Sequence, residues 1–280
     1  MLGDLHCHSK LSDGSMSIED IVFYAKRCGL DAIALSDHDT MDGVAKAQEL
    51  GKACGLEVIP AVELSSYDPS NDRTVHILCY FPKKPEKLEP LFKTMQRRRD
   101  EAGLTMIKRV MRQYPVTEEH VRRYSDQSTS IFKVHIMHAL LDLGYDSKIY
   151  GDVYQGLFSR RSPYNVLEEV QYPTVWQVLD AVKEAEGIPV LAHPSVYDSM
   201  ELLETLAAGK HIMGIEIDHP RNKPKDKVRM RELAEQHGLL VTGGTDFHGY
   251  YTSGRAFPLA TGLTHDDDMK KLYQAAESLR

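Results

Sequence analysis

Apolar positions along the first 80 residues switch between two periods. The runs "LGDLHCH", "LDAIALS", "LEVIPAVEL" and "TVHILCYF" have the length and composition of strands. Between the first two lies "MSIEDIVFYAKRCG". There Ile18, Ile21, Val22 and Ala25 recur at helical spacing, Ser17 stands at the N-cap position and Gly29 follows the last turn. A second helix, "DGVAKAQELGKACG", is closed by Gly55. The rhythm breaks near Lys84. From there to Tyr172 the chain reads as charged helices: "EKLEPLFKTMQRRRDEAGLTMIKRVMRQY", "TEEHVRR" and "SIFKVHIMHALLDLG". Alternation then returns, with strands "IPVLAH", "IMGIEID" and "LLVTGGTDFHG" set between helices "TVWQVLDAVKEAEG", "DSMELLETLAAG", "KDKVRMRELAEQHG" and "HDDDMKKLYQAAESL". About seven strands, mostly followed by helices, predict an α/β fold: a parallel sheet closed or nearly closed into a β/α barrel. Residues 1–83 and 173–280 would form it, and residues 84–172 would be an all-helical insert. An open doubly wound sheet is the alternative.

Polar residues cluster where these strands end. His6 and His8 close the first strand, and alternation puts both on one face. Asp37, His38 and Asp39 follow the second, Glu63 ends the third and His76 lies in the fourth. His193 follows the fifth, Glu216 and Asp218 end the sixth, and Asp246 and His248 follow the seventh. Asp13 sits in the loop after the first strand. In β/α barrels the C-terminal strand ends converge on one mouth. Each histidine alone could be an ordinary hydrogen-bonded core residue, and each acid a helix cap. Six strands ending in such residues make a shared metal site the better explanation. His6, His8, Asp13, His38, Glu63, His76, His193, Asp246 and His248 are the candidate ligands. They are too many for one ion, so two or three divalent ions are expected. Imidazole with carboxylate and no thiolate favours Mn, Fe or Zn. Cys7, between the paired histidines, would face the other way and serve packing.

Bulk composition narrows the partners. The net charge of −7 gives no global field for long nucleic acid. The four cysteines form no C-x-x-C pair and fit reduced thiols. With neither a leader pattern nor a long apolar stretch, the expectation is a cytoplasmic chain that does not span a membrane. No Gly-rich phosphate fingerprint occurs.

The motifs "DLHCHSKLSDG", "ALSDHDT", "AVELS", "VHIL", "VLAHP" and "TDFH", in this order, resemble the PHP (polymerase and histidinol phosphatase) family over about two-thirds of the chain. The resemblance implies a distorted (β/α)7 barrel with a trinuclear centre. His6, His8, Glu63 and Asp246 would bind one ion. Glu63, His76 and His193 would bind a second, with Glu63 bridging. Asp13, His38 and His248 would bind a third. Asp13 stands where many histidinol phosphatases carry histidine, which is similar to the phosphoesterase branch.

The insert resembles the cap of family members that hydrolyse nucleoside 3′,5′-bisphosphates and short RNA 5′ ends. Arg99 matches a phosphate-binding arginine, and His135 and Tyr164 match further positions. Ala102 replaces a second arginine and Lys133 replaces the arginine of R-x-H. At helical spacing Arg97, Arg98 and Arg99 splay apart, and Arg99 is the one expected to reach substrate. His219, after the sixth strand, is a further candidate contact. Together these features imply a metal-dependent phosphoesterase acting on a small nucleotide-like metabolite, a nucleoside 3′,5′-bisphosphate favoured. The nucleophile would be a hydroxide bridging two ions at Glu63, with His193 and Asp246 able to move protons. The alternatives are a cyclic phosphodiesterase on a ribose phosphate, a metal-dependent C–N hydrolase and, least favoured, a non-enzymatic module.

Overall fold

The computed structural model describes residues 1–251 and 257–279. Seven strands follow one another around the sheet in chain order. They are β1 (Gly3–Cys7), β2 (Ala32–Leu35), β3 (Glu57–Asp68), β4 (Arg73–Tyr80), β5 (Ile188–Leu191), β6 (Gly214–Asp218) and β7 (Leu240–Gly243). Helices α1 (Ile18–Arg27) and α2 (Val44–Cys54) lie in the first half. In the second half are α7 (Val175–Glu184), α8 (Met200–Ala208), α9 (Pro224–His237) and α10 (Asp266–Ser278). Local chemistry explains the ends: Ser17 Oγ accepts the Asp20 amide at 3.1 Å, and Gly55 takes the left-handed conformation, φ 70°, that stops α2.

The sheet is mixed, not parallel as the pattern suggested. β4 runs antiparallel to both β3 and β5, while the other paired neighbours are parallel. The reason is the length of the β3–β4 link. Residues 69–72 alone join them, and a parallel return needs a crossover of about a dozen residues or more.

The first and last strands do not form a full ladder. The segment after β7 closes the gap instead: Phe247 donates its amide to His6 O at 3.1 Å, and His8 donates to Phe247 O at 2.8 Å. Inside, Leu5, Ile59, Leu78, Tyr80, Ile188 and Val190 pack together, and Met269 and Leu272 of α10 join them. At roughly 25 cal/mol per Å² of apolar surface, such fully buried side chains contribute about 1.5–3 kcal/mol each.

Between β4 and α7 the chain passes through a 3-10 turn at 85–87 and four helices: α3 (Glu89–Val110), α4 (Glu118–Ser125), α5 (Lys133–Asp142) and α6 (Asp152–Phe158). Only α6 had no sequence signal of its own. Met106, Ile107, Val121, Ile136, Leu140 and Leu157 belong to a separate apolar cluster, which also takes in Tyr251 from the loop after β7.

Candidate metal centre and cleft

Strand register builds the centre. The Cys7–Phe247 bridge sets His6 and His8 beside Asp246 and His248. Alternation sends Cys7 and Phe247 outward into an apolar cluster with Ile21 and Leu35 and leaves the four polar side chains at the mouth. A second bridge places His38 beside Glu63. The β3–β4 register pairs Ser65 with His76, and Ala192 bonds to His76 O, which delivers His193. Asp39, His193 and Asp246 hold left-handed backbone angles, φ 52°, 26° and 55°. Such angles persist where surroundings enforce them, often at functional sites. Gly244 is needed because a Cβ there would stand 2.3 Å from His6 Cβ.

Glu63, fully buried, is the hub. Its Oε2 lies 3.1 Å from His6 Nε2, 3.2 Å from His8 Nε2 and 3.3 Å from His38 Nδ1. Its Oε1 lies 2.8 Å from His76 Nδ1 and 2.9 Å from His193 Nε2. Asp246 Oδ1 faces His8 Nε2 at 3.3 Å and His6 Nε2 at 3.6 Å. Asp13 faces His248 Nε2 at 3.2 Å and His38 Nε2 at 3.8 Å. Four groupings have ligand atoms close enough to share an ion: His6–His8–Glu63–Asp246, His38–Glu63–His76, His8–Asp13–His38–His248 and His6–His193–Glu216. The structure therefore gathers all nine residues named from the sequence, with His193 joined through Glu63 and through His6 and Glu216.

The donor atoms fit divalent ions. Among the described residues, His6 Nε2, both ring nitrogens of His8, Asp13 Oδ1, His38 Nδ1, Glu63 Oε2 and His193 Nδ1 are buried without a hydrogen-bond partner. Leaving that many polar atoms unmatched in a core costs roughly 1–3 kcal/mol each unless something else binds them. Tautomers agree. His6 Nδ1 donates to Glu216 Oε1 at 2.8 Å and His248 Nδ1 donates to Asp246 O at 2.8 Å. Each Nε2 then presents a lone pair to the cluster.

The electrostatics reflect the crowding. Burial opposes protonation of His8, but the adjacent Asp246 and Glu63 carboxylates lift it to about 10. Burial drives His193 down to about 4 and His38 well below the usual imidazole range. Against burial, the surrounding histidines hold Glu63 and Asp246 well below the usual carboxylate range, Arg221 adding to the effect on Asp246.

Sequence reasoning placed Glu216 at a strand end without giving it a role. It is fully buried and accepts both the His6 imidazole and, at 2.9 Å, the His193 amide. Its inward direction follows from strand alternation in "GIEID", but its partner His6 is 210 residues away and no local pattern reveals it. Tyr150 and Tyr197, which also line the mouth, carry no sequence signal of this kind. The Tyr197 ring packs edge-on against His76, centroids 4.9 Å apart.

An inner cavity of about 150 Å³ at the mouth opens into a cleft of about 760 Å³ beneath the helices between β4 and α7. Of the candidate substrate contacts, Arg99 and Lys133 line the cleft. Arg99 is buried, with Nη2 on Asp39 Oδ2 at 2.5 Å and Ser65 Oγ at 2.6 Å, and it lies over the Phe132 ring. Lys133 has no carboxylate partner among the described residues. Burial, then Arg160 and Arg99, lower its pKa. His135 is buried within the start of α5, where its Nδ1 accepts the Phe132 amide. His219 is buried against Asp246, 3.6 Å from Oδ2. Tyr164 does not reach the cleft: 68% of it is exposed to solvent. Arg97 pairs with Glu101 on the outer surface, so of the arginine run Arg99 alone lines the cleft.

Residues 4–187 match the PHP domain family. The chain is 34% identical to the phosphoribosyl 1,2-cyclic phosphate 1,2-diphosphodiesterase of Eggerthella lenta, over 90% of this chain and 95% of the relative. It is 27% identical to the 3′,5′-nucleoside bisphosphate phosphatase of Chromobacterium violaceum, over 90% and 89%. A crystal structure from Bifidobacterium adolescentis, described as a proposed metal-dependent phosphoesterase, superimposes with a TM-score of 0.86 at 30% identity, covering 98% of this chain and 96% of that one. Motif order, barrel and relatives agree, and the chain belongs to the PHP domain family.

Proposed function

We propose that this chain is a metal-dependent phosphoesterase acting on a small ribose ester that carries two phosphates, a nucleoside 3′,5′-bisphosphate favoured. One observation carries the reading: a buried cluster of unpartnered imidazole and carboxylate atoms opens directly into a cleft holding Lys133, a cation with no carboxylate partner among the described residues. His6, His8, Glu63 and Asp246 would hold one ion, Glu63, His76 and His193 a second, and Asp13, His38 and His248 a third. Mn, Fe or Zn suits this donor set. Divalent ions there supply neutralisation of phosphoryl charge and lower the pKa of a coordinated water to roughly 7.

The chain's own groups do the rest. Glu63 ties the histidines of four strands into one frame. Glu216 and the His248–Asp246 carbonyl bond fix two imidazoles so that their Nε2 lone pairs point inward. His193, held neutral by burial, would serve as a ligand, and Asp246 stays ionised. In the cleft, Lys133, with Arg99 and Arg160 nearby, would hold the phosphate that does not react. Residues 84–172 would act as a cap that keeps that phosphate over the mouth. Similarity to the E. lenta diphosphodiesterase and the presence of Ala102 and Lys133 at positions where arginine was expected favour a second reading, a phosphoribosyl cyclic phosphate. The C–N hydrolase alternative gains nothing from these cations.

The test is hydrolysis with Mn²⁺, its products identified by phosphorus NMR and chromatography, of adenosine 3′,5′-bisphosphate, a phosphoribosyl 1,2-cyclic phosphate, a short 5′-phosphorylated RNA and adenosine 5′-monophosphate. Preference for the bisphosphate supports the leading substrate. Turnover of the cyclic ester alone selects the second reading. No hydrolysis of any of the four, with ions bound, contradicts the function.

A further inference from the structure

We propose that Arg221 is a catalytic residue whose guanidinium binds the reacting phosphoryl group at the metal mouth. The inference rests on the phosphoesterase reading above. Among the described residues Arg221 is the one lysine or arginine lining the inner cavity, whose other walls are acids, histidines, aromatic rings and Thr245. The cations of the outer cleft, Arg99, Lys133 and Arg160, line a different space.

The turn that carries Arg221 is tightly built. Its amide donates to Nδ1 of buried His219 at 3.1 Å. Next to it, buried Asn222 donates from Nδ2 to the carbonyls of Glu216 at 2.9 Å and Ile217 at 3.2 Å, and its Oδ1 accepts the Ser195 amide at 3.2 Å. Ser195 Oγ in turn donates to Asp226 Oδ2 at 2.7 Å. The backbone of Arg221 is thereby fixed relative to β6, while its side chain, 40% exposed, is free to reach into the mouth.

Its reach is set by one contact. Nη2 donates to Asp246 Oδ2, and the other oxygen of the same carboxylate faces His6 and His8 Nε2. The guanidinium is thus one carboxylate away from the ligand nitrogens. Among the described residues that carboxylate is the side chain's sole acceptor. Arginine carries five N–H donors in a planar fork that matches two phosphoryl oxygens, so most of the fork remains available. In hydrolysis the water oxygen bonds to phosphorus and the P–O ester bond breaks. The bonding pair leaves on the alcohol oxygen, which gains a proton, and water loses one. Arg221 moves no proton. It binds the non-bridging oxygens whose charge the transition state spreads.

The alternative is that Arg221 only positions Asp246, and the experiment separates the two. Wild type, Arg221→Ala and Arg221→Lys are loaded with Mn²⁺, and kcat, KM, bound metal by mass spectrometry and the inhibition constant of inorganic phosphate are measured. The expected result for Arg221→Ala is kcat/KM lower by about 10²- to 10³-fold, phosphate inhibition weaker by roughly tenfold or more, unchanged metal content, and partial rescue by added guanidinium ion. Arg221→Lys should lie between the two. An Arg221→Ala variant within about threefold of wild type overturns the proposal. So does a loss of metal that runs in step with the loss of rate. A wild type inert towards every phosphate ester sinks the phosphoesterase reading and this inference with it, whereas an active wild type beside an equally active variant sinks this inference alone.

Discussion

The barrel mouth and the helical wall above it treat buried polar groups in opposite ways. In the wall, Arg99 places Nη2 on Asp39 and Ser65 and leaves its Nε alone without a buried partner, and His135 uses its Nδ1 to accept the Phe132 amide. At the mouth, seven buried ligand atoms of six histidine and carboxylate side chains stand a few ångströms apart with no hydrogen-bond partner. A folded chain tolerates the second arrangement only where something absent from its own covalent structure completes it. The contrast shows how to tell binding groups from structural ones: by what is left unsatisfied, not by residue type.

Substitutions should therefore behave differently on the two sides. The largest effect is expected at Glu63. Glu63→Ala removes the hub, so phosphate release should fall by roughly 10³-fold or more and bound metal, counted by mass spectrometry, should fall with it. Next is Arg99→Ala, whose signature is stability. It strands buried Asp39 and should cost about 3–5 kcal/mol in denaturant unfolding. A near-neutral result there would erase the distinction between wall and mouth. Glu216→Gln comes third. It loosens the His6 imidazole and should weaken metal affinity by about 10–100-fold, read as a shift in the Mn²⁺ titration midpoint.

The smallest effect is a pH dependence. Burial holds His135 at about 4 in the folded chain, against an unfolded value near 6.5. Between those values the unfolded chain binds the extra proton. The stability contributed by His135 is thus complete above pH 6.5 and is lost as pH falls towards 4, by up to about 3 kcal/mol. His135→Gln keeps an acceptor for the Phe132 amide and should flatten that part of the stability profile. An unchanged profile would mean that His135 is not the group responsible.

Legibility in the sequence follows the range of the interaction. His6 with His8 and Asp246 with His248 were readable because a period of two puts each pair on one face, and the Cys7–Phe247 bridge then sets the pairs side by side. The helices of the barrel half were readable from caps such as Ser17 and Gly55. The direction of β4 was missed because apolar runs carry no sense of direction, although the short link at residues 69–72 does. Glu216 was underrated because its partner comes from the opposite end of the chain. Tyr164 was placed by motif position, but an irregular stretch outside any helix or strand turns it outward. Local rules thus reached the ligands, and only tertiary contacts revealed what orients them.

The central claim is that the unsatisfied cluster is a catalytic metal site. The most direct test is the rate of ester hydrolysis, followed by phosphorus NMR, by metal-stripped protein given adenosine 3′,5′-bisphosphate and a phosphoribosyl 1,2-cyclic phosphate, as Mn²⁺ is added back. The account predicts no turnover by the stripped chain and recovery on at least one ester as ions bind. Equal turnover with and without metal, or silence on both esters with the site filled, would contradict it.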